Sequence, residues 1–385
     1  MNGLKHQLFN KMLNKNHIKF KHDNPYTIGI EEEYMICDPN SGDLINRADE
    51  IMAELDEKLI QRYSYELILS EIEVNTSICK NVKEALDEII FLRNNTKEIG
   101  EKIGYKLGIS GTHPTALSKN QRFVDNDSYN WVANQLNYYA KRNITFALHV
   151  HIAVPDENYA IHVSNALRRW ISPLLALSCN SPFFEGDLTG MRSSRTMQFG
   201  AFPRTNIPKK FRNFEEYEKL ISDFMKIDSI EKSRQVWWKI RPHMDFGTIE
   251  FRMCDMQRSL KNVELIVSLC QALVHQSVND FDNGKLIESF NMEYLNDALW
   301  KASRFPLDSK VIDPVSNEVS SLVDQIRIMK KYVKKSMDFF KNSHILKRLD
   351  YLIENGTEFD EQIRVYSDQG IDGLKSSLMN FVEYN

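Results

Sequence analysis

The sequence predicts an α+β fold, and three observations carry that expectation. Four short segments with a two-residue period lie in the first two thirds of the chain, each with ionisable side chains on one face and a mostly apolar opposite face. The last third shows helical apolar stripes instead. No internal repeat, low-complexity tract or flexible linker separates the two regions, so strands gather early and helices late. A polar arm over residues 1–24 is expected to precede one domain over 25–385, sheet-rich from 25 to 255 and helical from 256 to 385.

The first strand is expected from about Tyr26 to Cys37, stopped by the turn formers Asp38-Pro39-Asn40-Ser41-Gly42-Asp43. Glu31 and Glu33 share one face; Ile28, Ile30, Tyr34 and Ile36 share the other with Glu32, which must find a buried cation or lie at the sheet margin. The second strand, Ser70 to Asn75, pairs Glu71 with Glu73 and leads into a helix that Asn81 caps and Glu84 closes, with Ala85, Leu86, Ile89, Ile90 and Leu92 as its stripe. After the loop Gly111-Thr112-His113-Pro114 comes a third strand, Ala147 to Ile152, with His149 and His151 on one face. Asp156 is placed to cap the next helix, which Pro173 should kink. From Cys179 to Pro208 no period is visible, which predicts a long ordered loop, a candidate lid. The fourth strand, Gly247 to Arg252, sets Glu250 and Arg252 on one face. Helical stripes follow near Val263–Val274, Leu286–Arg304, Val319–Phe340 and Ile345–Ile353, the last ended by Gly356.

Bulk properties exclude several classes. A formal net charge of -4 shows no basic excess, so nucleic acid is not an expected partner. The most apolar run, Val263 to Val274, is too short for a bilayer and carries Ser268 and Gln271, so no membrane span is expected. The N-terminal residues lack the apolar stretch of a secretory signal, and the five cysteines follow neither C-x-x-C nor zinc-finger spacing. Reduced thiols and a cytoplasmic location follow from that reading.

Carboxylates crowded on one sheet face repel unless a cation sits among them, and oxygen-rich sites suit magnesium or manganese better than zinc. By strand alternation Glu71 and Glu73 form the second acidic pair. Glu66 lies an odd number of residues from Glu73 and joins only through a bulge or strand start near Leu69. Arg241 and Arg252 bracket a turn, while Arg192 and Arg195 lie in the long loop; their planar forks suit phosphate or carboxylate. No G-x-x-x-x-G-K-[ST], G-x-G-x-x-G or G-x-S-x-G motif occurs, so a nucleotide would be held through metal and arginines.

Six ordered motifs then carry a resemblance: Gly29-Ile30-Glu31-Glu32-Glu33-Tyr34, Glu73-Val74-Asn75-Thr76 with Cys79, Gly111-Thr112-His113-Pro114, His149-Val150-His151, Asn180-Ser181-Pro182-Phe183, and Arg241-Pro242-His243 through Phe251-Arg252. In that order they resemble the type 2 glutamate-cysteine ligases, ATP-dependent carboxylate-amine ligases. The resemblance implies a glutamine-synthetase-like antiparallel sheet whose concave face is the active site, flanked by helices. It implies ATP with Mg²⁺ or Mn²⁺ as cofactors, glutamate and cysteine or another amine as substrates, and a homodimer. It implies metal ligation by Glu31, Glu33, Glu66, Glu73, His149 and Glu250, leaving Glu71 behind them, and nucleotide binding by Glu31, Glu33 and Arg252. Arg252, Arg241 and Arg195 become the catalytic cations. Ala147, where the family favours glycine, and the loop Gly190-Met191-Arg192-Ser193-Ser194-Arg195 depart from the family pattern and bear on substrate identity. Two other readings stand beside this one: a zinc hydrolase built on the two-histidine strand, and a non-catalytic sensor of nucleotide or amino acid.

Overall fold

The computed structural model describes residues 24–385, so the expected polar arm lies, but for Asn24, outside the described residues. Its strands are β1 Ile28–Cys37, β2 Tyr63–Tyr65, β3 Glu71–Asn75, β4 Lys106–Gly108, β5 Ala147–Ala153, β6 Phe183–Phe184, β7 Asp187–Leu188, β8 Ile240–His243, β9 Thr248–Asp255, β10 Lys310–Ile312 and β11 Val319–Ser321. Seven of them form one antiparallel sheet in the order β2-β3-β1-β5-β9-β8, with β4 paired to the end of β1. The fold is α+β with an antiparallel sheet at its centre.

Strand alternation splits the sheet into two chemically opposite faces. Ile28, Ile30, Tyr34, Ile72, Val74, Leu148, Val150, Ile152, Ile249 and Phe251 are buried together. They pack on the helices Val82–Ile103, Glu157–Leu167, Ile171–Ser178 and Leu260–Asp282. Glu32, on this apolar side, is fully buried and finds the cation it requires: Arg93 donates to its two oxygens at 2.9 and 2.7 Å, and the Tyr34 hydroxyl donates to it as well.

Local signals explain most element ends. The Asn81 side chain accepts from the Glu84 amide at 3.0 Å, while the Glu84 carboxylate reaches the Lys80 amide at 2.8 Å, one residue earlier than a regular capping box. Asp156 accepts from the amides of Asn158 and Tyr159 at 2.9 and 3.1 Å. Pro173, lacking an N–H, cannot bond the Arg169 carbonyl, and a 3₁₀ turn at Arg168–Trp170 divides the helix there.

The structure departs from expectation in four places. The stripe from Leu286 becomes helical only at Met292, where Asn291 caps it. The stripe from Val319 opens as β11 before Ser321 caps the helix Leu322–Phe339. A further helix, Glu358–Asn380, follows Gly356. The segment 179–208 holds the hairpin β6–β7, turned at Glu185-Gly186, and the helix Ser194–Phe199, capped by Ser193. That segment is also pinned rather than hinged: the Asn180 amide and the Ser181 and Ser193 hydroxyls donate to Asp255 at 2.9, 2.7 and 2.8 Å, and Arg192 pairs with Asp360 at 2.7 Å. A lid built from this half of the loop would have to break all of these. Among the described residues no helix is long and apolar enough to cross a membrane, and all five cysteines are buried and unpaired.

Candidate active site

The polar face of the sheet floors a cleft of about 950 Å³. Cross-strand register decides what meets there. Glu33 stands opposite Glu73, Glu31 opposite both Asn75 and His149, His151 opposite Glu250, and Glu250 opposite Arg241. An extra residue in β9 opposite β5 shifts the register between Phe251 and Cys254. This bulge returns Asp255 to the face of Glu250 although the two lie an odd number of residues apart.

At one end of the cleft the acids converge. Glu33, Glu66 and Glu73 each offer an oxygen within 4.8 Å of the other two; so do the donor atoms of Glu31, Glu73 and His149, and those of Glu31, His151 and Glu250. Glu66 arrives by a route that parity along one strand does not describe. It follows the end of β2, two residues beyond Ser64, which stands opposite Glu73, and so comes beside Glu73 from the neighbouring segment of chain rather than along β3. Tyr65 is the last residue of β2. Glu71 is buried on the same face but does not line the cleft.

Electrostatics divides these acids. Burial and the neighbouring Glu33 push Glu66 up to about 8. Burial and the surrounding carboxylates hold Glu71 and Glu73 well above the ordinary range. Burial would raise Glu31 too, but His151 and His149 outweigh it and hold Glu31 well below that range. His149 Nδ1 lies 3.0 Å from one Glu31 oxygen and His151 Nε2 lies 3.1 Å from the other. His151 is completed by Thr248 Oγ1 at 2.9 Å, whereas the buried Nε2 of His149 has no partner. Five carboxylates, mutually repelling, and one unsatisfied imidazole nitrogen form a donor set that a hard divalent cation fits. A zinc hydrolase needs more open nitrogen than this, since both ring nitrogens of His151 are engaged.

At the other end the cations gather. Arg241 donates to Glu250 and to the carbonyls of Arg234 and Val236 at 2.6 and 2.9 Å. Arg252 binds the other oxygen of Glu250. Burial would raise Glu250, but Arg241 and Arg252 outweigh it and hold the carboxylate ionised. Arg195, from the helix Ser194–Phe199, donates to the carbonyls of Met253 and Arg252 at 3.3 and 3.1 Å, and its buried Nε is unpartnered, as is that of Arg252. Sequence reasoning passed over Lys239 and Asp255 here. Lys239 was legible as the residue two before Arg241; Asp255 was hidden by the bulge.

Two solved structures share this fold. A glutamate-cysteine ligase from Francisella tularensis, solved in complex with AMP, covers 94% of this chain and 89% of its own, with a TM-score of 0.73 at 12% identity. A bifunctional glutathione synthetase from Pasteurella multocida covers 92% of this chain and 52% of its own, with a TM-score of 0.70 at 12% identity. The glutamate-cysteine ligase family 2 (GCS2) model matches residues 27–378. Proteins named "Putative glutamate-cysteine ligase 2" from Herpetosiphon aurantiacus and Solibacter usitatus are each 33% identical, over 346 and 348 residues, with 90% and 89% of this chain and 90% of each relative covered. The chain belongs to glutamate-cysteine ligase family 2, and with it to the ATP-dependent ligases that form an amide bond.

Proposed function

We propose that this ligase joins the γ-carboxylate of glutamate to the amino group of cysteine. In this reading the carboxylate oxygen attacks the γ-phosphorus of ATP and ADP leaves; the amine then attacks the acyl carbonyl and inorganic phosphate leaves, its spare proton passing to solvent or a basic side chain. Glu31, Glu33, Glu66, Glu73 and His149 would hold divalent ions, with Glu250 contributing beside Glu31 and His151. When bound, Mg²⁺ or Mn²⁺ would offset the charge of the triphosphate. Arg252, which lines the cleft, would face the charge that develops on the transferring phosphoryl group. Arg241, already engaged by Glu250 and two carbonyls, would position Glu250 and through it Arg252. Arg195 would steady β9 from behind Arg252. The reading places the reaction in the cytoplasm, in keeping with five free cysteines.

One observation carries this proposal: a single sheet face presents an acidic pole and a cationic pole across one cleft, with Glu250 between them. The test is mass spectrometry of products after incubation with ATP, Mg²⁺ and a mixed amino-acid pool. A new γ-glutamyl amide together with ADP is expected. Amino-acid-independent hydrolysis with zinc and no ATP would favour the hydrolase, and ATP binding with no ADP from any pair would favour a sensor.

A further inference from the structure

The cationic pole holds one more charge than the reaction just described uses. Lys239 is 3% exposed, yet its ammonium has no hydrogen-bond or ion-pair partner among the described residues. Its carbonyl accepts from the Arg252 amide at 2.9 Å, which extends the β8–β9 pairing by one residue. Alternation therefore puts Lys239 on the face of Trp237, Arg241 and His243, all of which line the cleft. Three cations surround one ring there: Lys239 Nζ lies 5.7 Å, Arg195 Cζ 5.9 Å and Arg252 Cζ 6.0 Å from the centroid of Phe199.

No carboxylate among the described residues pairs with the Lys239 ammonium. Asp255 stands 4.0 Å from Arg195 but already accepts from Asn180, Ser181 and Ser193. Glu250 is shared by Arg241 and Arg252. Asp255 and Glu250 are thus both engaged, and Glu33, which acts on Arg195 and Arg252, and Glu31, which acts on Arg252, make no hydrogen bond or ion pair with Lys239 among the described residues. Burial and the adjacent Arg195 and Arg252 push the Lys239 ammonium down to about 7, which is the strain expected where a buried charge waits for an anion.

We propose that Lys239, together with Arg195 and Arg252 over Phe199, forms a seat for the α-carboxylate of an amino-acid substrate, with Lys239 as the residue that selects for it. The proposal rests on the ligase reading above and deepens it. Of these three cations only Arg252 also faces the transferring phosphoryl group of the metal-bound triphosphate, so the anion left for Lys239 and Arg195 is a carboxylate. Donor and acceptor each carry one, and the experiment tells them apart.

The test removes the charge from either side. L-glutamate is compared with 4-aminobutyrate, which lacks the α-carboxylate, and L-cysteine with cysteamine, for wild type, K239M and K239R. Calorimetric binding and ADP formation are both read. Wild type should bind the carboxylate-bearing member of one pair at least about tenfold more tightly than its analogue. K239M should lose that preference for the same pair and K239R should restore it, with the KM for ATP held within about twofold. The affected pair identifies donor or acceptor. K239M keeping both preferences, or weakening ATP as much as the amino acids, would overturn the seat. Melting curves establish that K239M is folded, and K239Q repeats the test if it is not. Calorimetry needs no turnover, so absence of ADP with every pair would count against the ligase reading while the binding comparison still decides the role of Lys239.

Discussion

Three consecutive glutamates on β1 should behave in two different ways. Glu32 is buried on the apolar side against Arg93, whereas Glu31 lies in the cleft between His149 and His151. Glu32→Gln removes the charge that compensates a guanidinium with no exposure. Loss of one partner from a buried pair costs about 3–5 kcal/mol. Arg93 keeps the carbonyls of Gln257, Arg258 and Glu383 at 2.8, 2.8 and 3.1 Å, and a glutamine oxygen still accepts one bond. The lower end, about 3 kcal/mol, is therefore expected, a large share of the roughly 5–15 kcal/mol that holds a protein folded. With an m-value of about 3 kcal/mol per molar, the urea midpoint falls by about 1 M. ADP formation per folded molecule should stay within about twofold of wild type. Glu31→Gln should do the reverse: a stability change of no more than about 1 kcal/mol and a loss of about a hundredfold or more in ADP formation. Urea curves followed by fluorescence and a coupled ADP assay on both variants decide it. A Glu32→Gln midpoint within 0.2 M of wild type, by an error of about that size, or near-normal turnover by Glu31→Gln, refutes the assignment of faces.

Chelation with EDTA should abolish ADP formation, with Mg²⁺ or Mn²⁺ restoring it and raising the melting temperature in a concentration-dependent way; activity that survives exhaustive chelation removes metal from the scheme. His149→Ala takes away the open Nε2 and should weaken Mn²⁺ binding, read by titration of its electron-spin signal, by about 10–100-fold. An unchanged affinity would take His149 out of the cation's shell. Burial pushes His113 down to about 4. Its Nδ1 accepts the Thr115 and Ala116 amides at 3.2 and 3.0 Å while Nε2 donates to the Gly42 carbonyl at 2.8 Å. The unfolded chain then takes the proton first, so stability is whole above pH 6.5 and declines as pH falls toward about 4, by about 3 kcal/mol from this group. A His113→Gln variant should show that much less decline across the same window; parallel curves would contradict it.

What could be read in the sequence was whatever depends on a period of two. The pairings Glu31 with Glu33, Glu71 with Glu73, His149 with His151 and Glu250 with Arg252 follow from alternation alone, and so does the need of Glu32 for a buried partner. Caps at Asn81 and Asp156 were legible because their hydrogen bonds are local. What alternation hides is any change of strand or register. Glu66 comes beside Glu73 from the neighbouring segment of chain, so counting residues between them as one strand misplaces it. Asp255 reaches the cleft face through a bulge, which leaves no clear mark in composition. Lys239 lay two residues before an arginine already singled out, but its burial beside Arg195 comes from the helix Ser194–Phe199, which six aperiodic residues do not announce. The hairpin at Glu185-Gly186 was detectable as a turn pair and was absorbed into a loop.

The two faces of the sheet are also mechanically linked, and this bears on how the poles keep their separation. Arg93, anchored on Glu32 behind β1, binds the carbonyls of Gln257 and Arg258 where the chain leaves β9. The next amides, of Arg258 and Ser259, donate to Glu358 at 3.0 Å each, and Glu358 also accepts from the Asn180 side chain at 2.8 Å. Asn180 in turn donates its amide to Asp255, which holds Ser181 and Ser193 at the start of the helix carrying Arg195. A continuous buried network thus runs from the back of the acidic strand to the front of the cationic pole. The groups that link it are each hydrogen-bonded, and a buried polar network of that kind resists repacking because each broken bond leaves a desolvated group unpaired. The distance between the acids of β1 and the cations around Phe199 is therefore set twice, by strand register and by this network, which is the rigidity that the proposed seats, for a triphosphate at one end and a carboxylate at the other, would require.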